Sequence, residues 1–134
     1  MDFNNFKHVY PNEMIDSNWT KKERQLLSPN ISYICDVFNR VSKIFTFYVI
    51  CHPRKKRKMN KRIEEVLRLA ELLIEYRNFN SAYAVYLALR NVWLKNFIDL
   101  NSKKIKLSTA SKKIFEQLQM IFRVEKRQKY LKEL

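Results

Sequence analysis

Not one glycine occurs in this chain of 134 residues, and that absence narrows what it can fold into. Glycine is the residue that supplies positive φ in tight hairpins and lets a backbone approach a phosphate closely, so glycine-dependent hairpins and phosphate-binding loops are disfavoured. Asparagine becomes the natural occupant of left-handed turn positions. Elements that need few such positions, above all helices, remain.

The apolar spacing is helical nearly everywhere. Ile31, Ile34, Cys35, Phe38, Val41, Ser42 and Phe45 keep the three-four rhythm of one helix face. Ser28-Pro29 opens that element with a capping side chain and a proline whose missing N–H is of no consequence there; Pro53 stops it. The spacing predicts a second helix over about Asn60 to Tyr76, with Ile63, Val66, Leu67, Ala70, Leu73 and Ile74 inward and a Glu64–Arg68 pair one turn apart outside. The polar triplet Asn78-Phe79-Asn80 follows. Asn78 is expected to end the second helix in the left-handed conformation, and Asn80 or Ser81 to cap the next. That third helix, about Ser81 to Arg90, is apolar almost all round and belongs at the centre of a domain. An amphipathic helix over about Thr109 to Tyr130, capped by Ser108 or Ser111, closes the chain after the solvated stretch Asn101 to Ser108. No run alternates with period two for long enough to claim a sheet. The fold class is all-α: a compact multi-helix domain, taken as one unit over residues 1–134.

A content of 46% hydrophobic and 13% aromatic residues can build a core in a chain of this length. Lysine and arginine number 27 against 13 acidic residues, a net charge of +14, which favours anionic partners and is silent on fold. Cys35 and Cys51 sit within apolar helical patterns and read as buried thiols rather than a disulfide framework. His8 and His52 share no ligand-like spacing, so neither a metal site nor a cofactor is called for. The N-terminus lacks a basic start followed by an apolar core, and Ile31 to Ile50 carries Asp36, Arg40 and Lys43 inside it. The expected setting is cytoplasmic, with a nuclear or membrane-surface fraction if the basic run described next is used.

Covalent catalysis finds little support. Glu64 with Glu65, or Glu71 with Glu75, are conceivable acid–base pairs, but on an amphipathic helix they read as a solvated charged face. No catalytic residue is assigned. The densest charge is "PRKKRKMNKR", with Arg54, Lys55, Lys56, Arg57 and Lys58 contiguous and Lys61 and Arg62 just beyond. It reads as a nuclear localisation signal, a nucleic-acid contact, an acidic-membrane contact, or simply a solvated interhelical loop.

Three segments together resemble the catalytic domain of Ras-type guanine nucleotide exchange factors. The first, "FKHVYPNEMIDSNWTKKERQLLSPNI", carries Glu13, Met14, Ile15 and Trp19, then Thr20, Lys21 and Lys22, then Ser28, Pro29 and Asn30 before a helix. The second, "IEEVLRLAELLIEYRNFNSAYAVYLAL", is similar to the family's central pair of helices with its Asn-Phe-Asn junction, and is the specific one. The third is the ending "RQKYLKEL".

This resemblance implies an all-helical domain that grips the switch II region of a Ras-family small GTPase and promotes GDP release. The accelerating principle would be tighter binding to the nucleotide-free GTPase than to the nucleotide-bound form. The family position that presents a leucine to switch II corresponds to Tyr83. A contact asparagine near the same helix's end corresponds to Arg90, with Asn91 one residue on. A polar or basic position on the earlier helix corresponds to Asp36, and an aromatic near the third segment corresponds to about Arg127, with Tyr130 close by. The resemblance stops before the family's wedge hairpin, which presses on switch I. The expectation is therefore a truncated domain with impaired exchange and exposed apolar surface open to self-association. The alternative is a basic nucleic-acid-binding or nuclear helical module using Arg54 to Arg62.

Overall fold

The computed structural model describes residues 2–51, 56–94 and 107–122, with side chains over 4–51, 57–91 and 107–122. Every regular element among these is helical: α1 (Asp2–Phe6), α2 (Pro11–Met14), a 3-10 segment (Ile15–Thr20), α3 (Arg24–Leu27), α4 (Pro29–Ile50), α5 (Lys56–Glu75), α6 (Phe79–Leu94) and α7 (Thr109–Phe122). The all-α reading holds. By their contacts the residues form two compact units, Met1–Val41 and Ser42–Leu134.

The first unit is organised around one carboxylate. Glu13 is buried, and its Oε2 accepts the amides of Asn30 at 2.9 Å and Ile31 at 3.1 Å, two of the donors that the first turn of α4 leaves without intrahelical partners. Oε1 accepts Asn30 Nδ2 at 2.8 Å and the Tyr10 amide at 3.3 Å. Ser28, fully buried, donates its hydroxyl to the Glu13 carbonyl at 2.7 Å. The sequence assigned the cap of α4 to Ser28. The side chain that meets the helix amides is instead Glu13, some fifteen residues upstream, and Ser28 clamps the backbone that carries it. A negative charge here also suits the positive end of the helix dipole. The acidic residue and the Ser-Pro-Asn triplet of the first segment are thus two halves of one device.

Between them the chain turns sharply, and Asp16 and Ser17 take positive φ, 49° and 52°. Ser32 Oγ donates to the Arg24 carbonyl at 3.0 Å and joins α3 to α4.

The second unit has a continuous apolar core. Ile63, Val66, Leu67 and Ala70 of α5 are buried, as are Ala82, Val85, Tyr86 and Leu89 of α6, Phe115 and Leu118 of α7, and Val49 of α4. α5 packs against both α6 and α7. Alanine at 70, 82, 84 and 88, each buried, keeps little side chain between the helices and permits close approach. Thr46 Oγ1 donates to the carbonyls of Ser42 and Ala88, at 2.9 and 3.4 Å, tying α4 to α6. Ser108 caps α7 by accepting the Ser111 amide at 3.2 Å, and its own amide goes to Glu64 Oε1 at 2.9 Å. Glu64 therefore anchors the start of α7, where the sequence had it in a solvated surface pair with Arg68.

Burial pushes the Glu13 carboxyl upward, but the hydrogen bonds from Asn30, Ile31 and Tyr10 outweigh it and hold the carboxyl below the ordinary glutamate value. A carboxylate depressed on folding stabilises fully above its unfolded value, about 4.3, and that stabilisation is lost as pH falls through the lower native value. We predict that Glu13→Gln melts below wild type at neutral pH, and that the gap narrows as pH is lowered from about 5 towards 3. Thermal denaturation followed by circular dichroism at a series of pH values checks this; a gap independent of pH would refute it.

Candidate functional site

The residues with a claim to bind a partner in the second unit lie on α6, and its position is set by the junction before it. The second helix ends with Arg77, not Asn78, in the left-handed region at φ 56°. The Asn78 amide donates back to the Leu73 carbonyl at 2.8 Å, and the Arg77 amide to Ile74 at 2.9 Å. This is the paired closure of a Schellman motif, with Arg77 at the position glycine usually fills. Asn78 then accepts the Ser81 amide on Oδ1 at 3.1 Å, and its carbonyl accepts the Ala82 amide at 3.1 Å. Asn78, rather than Asn80 or Ser81, caps α6. A single residue closes one helix and opens the next, so α6 leaves α5 with almost no slack.

Along α6 past its first turn, Ala82, Ala84, Val85, Tyr86, Ala88 and Leu89 are all buried. Between them, Tyr83 and Leu87 are half-buried and Arg90 and Asn91 exposed. At spacings of four, three and one these four positions share one side of the helix. Three of them, Tyr83, Arg90 and Asn91, are the residues singled out from the sequence. Leu87 was missed: a helix apolar all round offers no periodicity from which to choose a face, and only the burial of the other sides reveals it.

Tyr83 packs against the aromatic residues that join α6 to α7. Its ring lies 5.0 Å from Phe122 and 6.4 Å from Tyr86, centroid to centroid. Tyr86 in turn stacks on Phe122 at 5.5 Å and meets Phe115 at 6.3 Å. This aromatic cluster joins α6 to α7 and holds the Tyr83 ring, and the residue stays half-buried.

Asp36, in the first unit, is partly exposed on α4, its Oδ1 3.8 Å from Arg24 Nη2. Such a pair is weak in water, worth under about 1 kcal/mol, and could exchange for a partner's cation. Arg127 and Tyr130 lie outside the described residues.

The basic run is divided in the structure. Arg54 and Lys55 lie outside the described residues, and Lys56 begins α5. Arg57, Lys58 and Lys61 are exposed, Lys61 lying 4.0 Å from Glu65. Arg62 is engaged: Nη1 donates to the Tyr48 carbonyl at 2.8 Å and contacts Cys51 Sγ, and its guanidinium lies 4.7 Å from the Tyr48 ring centroid. Tyr48 donates its hydroxyl to Glu65 at 2.6 Å, a bond that holds the phenol's pKa above its ordinary value. Cys35 and Cys51 are free thiols. Among the described residues no helix is long and apolar enough to cross a membrane.

Comparison with known proteins identifies the family. The model of the RasGEF domain matches residues 1–134. The chain belongs to the RasGEF family. It is similar to Ras guanine nucleotide exchange factor P of Dictyostelium discoideum, 25% identical over 117 residues, covering 87% of this chain and 8% of that protein. Ras guanine nucleotide exchange factor G of the same organism is 27% identical over 93% of this chain and 8% of its own length. The mouse (Mus musculus) Ras-specific guanine nucleotide-releasing factor RalGPS1 is 31% identical over 68% of this chain and 15% of its own. The chain thus spans a small part of each relative's length.

The junction makes a direct prediction. Removing the cap with Asn78→Ala should destabilise the protein by about 1 kcal/mol. Arg77→Gly should stabilise it by roughly 0.5 kcal/mol, relief of the left-handed conformation exceeding the added freedom of the unfolded chain. Urea denaturation of both variants tests this; a destabilising Arg77→Gly would contradict the assigned backbone.

Proposed function

We propose that this chain binds a Ras-family small GTPase at its switch II region through the Tyr83–Leu87–Arg90–Asn91 face of α6, and promotes GDP release. Asp36 is proposed as a further contact, from the first unit. One observation supports the reading: Tyr83, Arg90 and Asn91, three of the residues matched to the family's switch II contacts, share the side of α6 that, among the described residues, is least covered by the core. Membership of the RasGEF family and the names of the similar proteins support the partner class.

The chemistry is recognition, not bond making. A half-buried tyrosine, a half-buried leucine, a guanidinium and an amide offer an apolar centre with polar margins, the usual composition of a protein-binding hot spot. Acceleration follows if these contacts are stronger with the nucleotide-free GTPase, because a partner shifts an equilibrium only by its differential affinity for the two states. The side chains named here make that difference in binding; no proton or covalent intermediate is required of them.

Release of a fluorescent GDP analogue from a panel of Ras-family GTPases is the test. Wild type should accelerate release from at least one, and Arg90→Glu, at an exposed position, should slow that exchange about tenfold or more while leaving the circular dichroism spectrum unchanged. Should wild type neither accelerate release nor co-elute with any nucleotide-free GTPase on a sizing column, the proposal fails.

A further inference from the structure

On the second unit, one surface combines exposed apolar groups with positive charge and contains none of the α6 residues of the proposed GTPase face. Ile44 and Phe47 of α4 are 63% and 67% exposed, high for large apolar side chains, and Tyr48 beside them is also exposed. They occupy the side of α4 opposite the buried Ser42 and Val49, and exposed Lys43 shares it.

Tyr48 joins this face to α5. Arg62 covers its ring and donates to its carbonyl, and Glu65 accepts a hydrogen bond from its hydroxyl. The side of α5 that carries Arg62 and Glu65 also carries Lys58 and Lys61, at four-residue spacing, with Arg57 adjacent. Exposed isoleucine and phenylalanine on α4, with Lys43 on the same helix, are thus joined through Tyr48 to the α5 side that carries exposed Arg57, Lys58 and Lys61 as well as Glu65, on a chain of net charge +14.

We infer that this α4–α5 face is a docking surface for an anionic lipid bilayer, with Ile44 and Phe47 entering the headgroup–acyl boundary and the lysines and arginine resting on anionic headgroups. Charge complementarity selects an anionic partner, and the apolar pair selects among anionic partners. A nucleic-acid backbone has nothing to offer an aliphatic isoleucine, whereas interfacial membrane binding uses buried apolar area and electrostatic attraction together. Tyr48, apolar in its ring and polar at its hydroxyl, suits the interface between them. Neither contribution alone gives stable attachment, so the surface requires both.

Vesicle sedimentation with the full chain and no GTPase present tests this independently of the exchange reading. Binding is expected to vesicles containing phosphatidylserine, to be absent on pure phosphatidylcholine, and to weaken with added salt. The triple variant R57E/K58E/K61E and the double variant I44S/F47S should each lower the partition coefficient about tenfold or more, with helicity retained. Phe47→Trp should be quenched by brominated acyl chains on binding. Equal binding to neutral vesicles, binding that survives I44S/F47S, or binding without quenching of Phe47→Trp would each overturn the inference. So would an absence of vesicle binding, whether accompanied by salt-sensitive association with RNA or by self-association that I44S/F47S abolishes.

Discussion

The packing of α6 into the second unit is the constraint on which the rest depends. Contacts with α4, α5 and α7, and alanines that admit a neighbouring backbone, cover most of its circumference, and among the described residues this leaves one strip for anything else. Burial of this extent is favourable by the ordinary apolar transfer of side chains such as Val85 and Leu89, about 2 kcal/mol each. It also has a geometric consequence. Rotation of the helix by one residue would expose apolar side chains and bury Arg90, so the core fixes which residues face outward. The Schellman closure at Arg77 and the Asn78 cap enforce the same register from the chain direction.

Glu13 plays the corresponding part in the first unit, by a different force. Its carboxylate replaces water for two amides of α4 and one of the preceding turn, and its own carbonyl is held by the buried Ser28 hydroxyl. A buried charge is tolerable because each oxygen has donors to meet it. Deleting the carboxylate would leave those amides without it, so the identity of this residue is constrained by hydrogen bonding rather than by shape. The partly exposed Asp36–Arg24 pair, with Asp36 in the first half of α4, has no comparable constraint.

The helices were legible in the sequence because their apolar periodicity is strong: α4 to α7 occur in the segments the spacing marks, although α5 starts at Lys56 rather than about Asn60 and α6 at Phe79 rather than Ser81, and the expected stretch of the last helix from 123 to Tyr130 lies outside the described residues. The turns were less so. In a chain without glycine, asparagine was the expected left-handed residue, yet the positive-φ positions among the described residues are Asp16, Ser17 and Arg77. The reason at the junction is competition: Asn78 is worth more as a cap, where its side-chain oxygen meets the Ser81 amide, than one residue earlier, where only its backbone would be used. The Glu13 cap was illegible as a mechanism because it joins segments far apart in sequence, although both halves were quoted as family residues. At the candidate site Tyr83, Arg90 and Asn91 came from resemblance; periodicity alone offered no face on so apolar a helix, and Leu87 became visible only once the buried sides were known.

Under the proposed function, these devices serve one purpose. A factor that works by differential affinity must keep its own surface fixed while its partner changes, since ordering its side chains on binding would consume part of the free-energy difference it relies on. Tyr83 is held by Phe122 and Tyr86 before any partner arrives, and Arg90 and Asn91 project from a helix whose register cannot slip without opening the core. A glycine-free chain gains here as well, because the α5–α6 turn is closed by hydrogen bonds rather than by backbone freedom. The proposed membrane face follows the same economy: Arg62 and Glu65 hold Tyr48 in place, and the neighbouring Ile44 and Phe47 are presented on a helix already folded. Partner and bilayer would then meet surfaces that need little rearrangement, and two weak, separable contacts can act together when the GTPase is itself confined near the lipid.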